Sequence, residues 1–85
     1  MLPPTPTLSD ELQKLHAKAS KGDTNAQFQL GLLFASGNIL PKDTESAIYW
    51  LRKAAVRGHG QAQFYWMFLI LREKFSRLFR RGDTV

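Results

Sequence analysis

The sequence predicts an all-α protein, an antiparallel helix-turn-helix stack of about four helices, and three observations carry that expectation. Ala47, Ile48, Leu51, Ala54 and Ala55 recur at three- and four-residue spacing, so they form one stripe of a helix with Trp50 beside it and Gly58 as its stop. Sliding the chain against itself by 36 positions lays Leu12 on Ile48, Leu15 on Leu51, Ala19 on Ala55, Gly22 on Gly58 and Ala26-Gln27-Phe28 on Ala62-Gln63-Phe64. A repeat with a period in the thirties means stacked helical hairpins. Thirdly, Ala47, Ala54 and Ala55 let neighbouring helices approach closely while Trp50 and Leu51 fill the space between.

Composition agrees with one small folded domain. A hydrophobic content of 44% beside 22% charged residues is ordinary for a globular chain and argues against general disorder. With no cysteine, a disulfide-stapled scaffold and a thiolate metal site are excluded. The net charge of +5 is unevenly placed. Residues 1–49 carry four Lys against five acids, −1, and residues 50–85 carry eight bases against Glu73 and Asp83, +6.

Residues 1–8 read as a Pro-rich flexible arm, 9–81 as the folded domain and 82–85 as a polar tail. The arm has neither the basic nor the apolar region of a secretory signal, which points to the cytoplasm, although a processed secreted or periplasmic chain would look the same. Thr7 or Ser9 caps a first helix over about 9–21, with Asp10 and Glu11 in its first turn and Lys21-Gly22 at its end. Asp23-Thr24-Asn25 cap a second helix that runs to about Ser36. Gly31 inside it costs roughly 1 kcal/mol relative to Ala, a cost that fits a tight helix crossing. Gly37 to Asp43 form the long connection, with Ile39 and Leu40 expected as plugs between helices and Pro41 as a block. The third helix spans about 44–57. After the Gly58-His59-Gly60 turn, a long fourth helix opens near Gln61.

That last helix has two characters. Phe64 to Leu71 is apolar on all sides, and Arg72 to Arg81 is amphipathic and basic. An eight-residue apolar run is far short of the roughly 20 needed to span a bilayer, but a helix apolar all round must be covered on more than one side.

The sequence resembles the Sel1-like repeat family, relatives of the tetratricopeptide repeat. The resemblance is carried by Ala26-Gln27, Leu30-Gly31, Phe34, Gly37, Asp43, Ala47, Trp50-Leu51, Lys53-Ala54-Ala55 and Gly58, one complete repeat over about 23–58. Leu15, Lys18-Ala19 and Gly22 match the second helix of a preceding repeat, with Lys14 at its Trp position. Ala62-Gln63-Phe64 opens a following repeat, which departs from the pattern at Trp66-Met67. The resemblance implies a solenoid fragment that presents a concave surface to other proteins, often in bacterial secretion, signalling or host contact, and that has no catalytic residues or cofactor of its own.

The leading functional reading is therefore a non-catalytic protein-interaction module, an adaptor, scaffold or regulator. It binds through the concave face and the aromatic-rich last helix, with self-association as the simplest way to cover the apolar excess. Tyr65, Trp66, Phe68, Leu69 and Arg72 are the candidate partner-binding residues, the even alternative for Tyr65, Trp66 and Leu69 being core; Phe64, Phe68 and Leu71 are expected chiefly as core. The alternative is electrostatic: Arg77, Arg80 and Arg81, with Arg72 and Lys74, could dock on nucleic acid or an anionic membrane surface. A basic helix C-terminus already stabilises its own dipole, so nucleic acid and membrane are the weaker readings. His16 has no carboxylate or second histidine three or four residues on, and His59 falls where a capping or turn residue belongs. No paired carboxylates or complete phosphate loop are present, so no catalytic residue, metal or cofactor is expected.

Overall fold

The structure, a computed structural model, describes residues 7–82, with side chains through residue 78. It contains α1 (Leu8–Ser20), α2 (Thr24–Ser36), α3 (Thr44–Val56) and α4 (Gly60–Gly82), and no strand among the described residues. Each helix packs on the next, so the chain folds back and forth as a short stack.

Local chemistry sets each boundary. Thr7 and Asp10 form a reciprocal capping box, the Asp10 N–H donating to the Thr7 hydroxyl at 3.2 Å and the Thr7 N–H to Asp10 Oδ2 at 3.3 Å. Asp23 and Asp43 cap α2 and α3 by accepting from the Ala26 and Ser46 N–H groups at 3.0 and 3.1 Å. Ser46 also donates its hydroxyl to Asp43 at 2.7 Å, and these two bonds hold the Asp43 carboxyl below its ordinary pKa. The connection after α2 differs in one respect from expectation. Leu40 packs against the core, whereas Ile39 is half-exposed, because the bend at residues 38–40 turns only one of the two neighbours inward.

The α1–α2 and α3–α4 turns are copies. Gly22 and Gly58 take φ of +103° and +94°, which an L side chain rarely adopts. The Asp23 N–H reaches back to the Lys18 carbonyl at 3.0 Å and the His59 N–H to the Ala54 carbonyl at 3.1 Å. Asp23 Oδ1 accepts from the Ala26 N–H at 3.0 Å, and His59 Nδ1 accepts from the Ala62 N–H at 3.1 Å. Gln27 Nε2 donates to the Ala19 carbonyl at 3.0 Å and Gln63 Nε2 to the Ala55 carbonyl at 3.1 Å, so each hairpin is stapled the same way. Ala19 and Ala55 are both buried. His59 is thus a helix cap stacked on Phe28, its ring centroid 4.4 Å away, and His16 is an exposed side chain set edge-on to Trp50.

The core is built from small residues at close crossings. Ala19, Ala26, Leu30 and Trp50 fill the space among α1, α2 and α3; Ala47, Leu51, Ala54, Ala55, Ala62 and Leu69 fill that among α2, α3 and α4. Gly31 marks a close crossing of α2 and α3. A Cβ there would lie 2.7 Å from Leu51 Cγ, and Leu51 is fully buried.

Candidate protein-binding ridge on α4

The rotation of α4 about its axis decides which aromatic residues are available. Ala62 is fully buried against α3, and Gln63 is tied to the Ala55 carbonyl. Those two contacts place Trp66, Leu69 and Ile70, which lie four, seven and eight residues after Ala62, on the inner face, with Leu69 at 8% exposure and Trp66 packed on the core. Phe64, Phe68 and Leu71 consequently point outward, 71%, 52% and 60% exposed.

This reverses part of the sequence reading. Leu69 is a core residue with no side chain to offer a partner, and Phe64, Phe68 and Leu71, expected in the core, are exposed. Periodicity could not decide it, because a segment apolar on every side has no preferred inner face; the fit of Ala62 against α3 does. Trp66 is half-buried, and its indole N–H has no hydrogen-bond partner among the described residues. Tyr65 stays partly exposed, its ring 5.8 Å from that of Phe28. Arg72 and Arg77 are exposed, and the side chains of Arg80 and Arg81 lie outside the described residues.

Phe64, Met67, Phe68, Leu71, Phe75 and Leu78 therefore form a continuous outward ridge at three- and four-residue spacing, each more than half exposed. By the same helical geometry Arg72 lies along one border and Lys74 along the other. Phe68, Leu71, Arg72, Phe75 and Ser76 line a hollow of about 370 Å³ on it. Phe75 and Leu78 continue the stripe of Phe64, Phe68 and Leu71, as their spacing in the sequence indicates, whereas Met67 was not singled out from sequence. A usable signal was present, since the 36-residue offset sets Met67 on Gly31 and Leu71 on Ala35, and Gly31 is the seat of Leu51 from α3. Met67 and Leu71 are thus the counterparts of the α2 face that receives a helix, and no described helix packs on them.

α4 also continues where α2 stops. The residue equivalent to Gly37, which ends α2 with a φ of +72°, is Glu73, a residue at ease inside a helix.

No group of three or more His, Asp or Glu side chains among the described residues could hold a metal, and no described helix is long and apolar enough to cross a membrane. Paired antiparallel helices with a repeated turn, a repeated staple and an alanine-lined core define a short helical-repeat solenoid of the tetratricopeptide type. Residues 24–59 match the family model of the Sel1 repeat, so this segment of the chain is a Sel1-like repeat. No curated protein and no solved structure matches it. Sel1 repeats generally mediate protein–protein interaction and are not catalytic.

Proposed function

We propose that this protein is a binding module, an adaptor or regulator, that receives an amphipathic helix of another protein along the α4 ridge. The observation that carries the reading is the exposed row Phe64, Met67, Phe68, Leu71 and Leu78, in which Met67 holds the position whose α2 counterpart, Gly31, is covered by Leu51 of α3. A contiguous apolar strip with basic borders suits a helix with an apolar face and acidic flanks. Two copies of α4 meeting on this face would bring Arg72, Lys74 and Arg77 together with Glu73 as the one acid between Gly60 and Gly82, so charge favours a different protein over self-association.

Paired capture experiments test this. A protein retained by the native chain and lost with Phe68→Glu or Leu71→Glu, both at exposed positions that leave helicity unchanged by circular dichroism, supports the assignment. Equal retention by native and variant chains overturns it.

A second reading rests on the same ridge: apolar residues bordered by Arg72 and Lys74 also suit an anionic membrane surface. Sedimentation with vesicles containing phosphatidylserine, lost on raising salt from about 50 to about 300 mM, would favour it over a protein partner.

A further inference from the structure

Away from α4, a groove of about 470 Å³ lies between the α1–α2 turn and the outer face of α3. Lys21, Arg52, Lys53 and Arg57 line it, with Tyr49 on its wall, and no acidic residue is among the lining side chains. Two of the cations are already oriented. Arg57 Nη1 donates to the Gly22 carbonyl at 2.7 Å, and Lys53 Nζ sits 5.1 Å from the centre of the Tyr49 ring. Both are therefore partly ordered before a ligand arrives, which lowers the entropy lost on binding. Gln27 also lines the groove. It is 3% exposed, its Nε2 is committed to the Ala19 carbonyl, and its Oε1 is buried with no hydrogen-bond partner among the described residues.

We propose that this groove binds an acidic peptide segment, whose carboxylates meet Lys21, Arg52, Lys53 and Arg57 while a backbone N–H satisfies Gln27 Oε1, directly or through one water. The four cations call for anionic groups. The orphan acceptor calls for a donor, and a peptide carries both where a phosphate group at neutral pH offers chiefly acceptors. The α3–α4 turn supplies an internal reference, because Gln63 makes the same Nε2 bond, to Ala55, outside the groove. The inference is independent of what binds the α4 ridge.

The test is a titration of the full chain with a blocked hexaglutamate peptide, followed by NMR. Expected are shifts confined to Ser20–Gly22 and Tyr49–Arg57, and a shift of the Gln27 side-chain amide with that of Gln63 unmoved. Lys21→Glu/Arg52→Glu, at exposed positions, should weaken binding about tenfold or more, and Lys74→Glu/Arg77→Glu by less than about twofold. The proposal is overturned if the α4 variant abolishes binding, if the groove variant does not weaken it, or if the Gln27 amide stays still. Displacement of the peptide by pyrophosphate at equal concentration would likewise overturn the peptide assignment and leave a simple anion site.

Discussion

Residues 19–31 and 55–67 are two versions of one passage: a buried alanine, a left-handed glycine, a capping side chain, a glutamine staple and the first turns of a helix. They run in parallel until Gly31 and Met67. At Gly31 the second helix of the hairpin arrives so closely that its Leu51 occupies the place a Cβ would take; at Met67 no described helix arrives and the side chain stands 58% exposed. The difference shows that a position in a stacked repeat is core or surface according to whether a neighbour docks on it. Hydrophobicity is the same requirement in both cases.

Three pairs of substitutions break or sharpen this comparison, all read by urea or thermal unfolding. Leu51→Ala empties the most buried large side chain and should cost about 2–5 kcal/mol, enough to unfold much of so small a domain. Its counterpart Leu15→Ala, half-buried on the terminal helix, should cost clearly less. Gln27→Ala removes a buried bond to the Ala19 carbonyl, which keeps the Gly22 N–H as a donor, and should cost about 0.5–1.5 kcal/mol, against no more than about 0.5 kcal/mol for Gln63→Ala, whose bond is partly open to water. Gly31→Ala drives a methyl into Leu51, a strain of about 1–3 kcal/mol set against a gain of roughly 1 kcal/mol in helix propensity, so a net loss is expected. Met67→Ala should stay within about 0.5 kcal/mol. Equal effects at Gly31 and Met67 would mean that α4 carries a covering helix after all.

The smallest effect concerns pH. Thr7 and Asp43 are equivalent caps one repeat apart, one a hydroxyl and the other a carboxylate whose folded pKa is lowered from 3.8 by the Ser46 hydroxyl and N–H. A lowered folded pKa means that the cap's contribution is present above the unfolded value and is lost as pH falls below 3.8 through the folded value. Helicity of α3 should fray in that acid range, and Asp43→Asn should remove this part of the pH dependence while keeping a capping oxygen.

Most of the hairpin architecture was legible in the sequence because its determinants are local. Asp23 and Asp43 before apolar periodicity, glycines at 22, 37 and 58, and the offset that superimposes Ala19 on Ala55 each specify backbone geometry within a few residues. Gly31 as a close crossing was readable for the same reason, since a glycine inside a helix needs a cause. The ridge was only half legible. Its existence followed from an aromatic excess, but its membership did not: Leu69 went to the core and Phe64 and Leu71 to the outside.

By itself the sequence determined four helices, their caps, the order in which neighbours pair and the repeat to which they belong, because turns and hairpins are settled by residues close together in the chain. Periodicity within α4 left open how the helix is rolled about its axis, and packing on α3 decided it, and hence which aromatics face outward. A segment greasy on every side gains nearly equal burial at many rotations, and only the fit of Ala62 and Gln63 against α3 selects one.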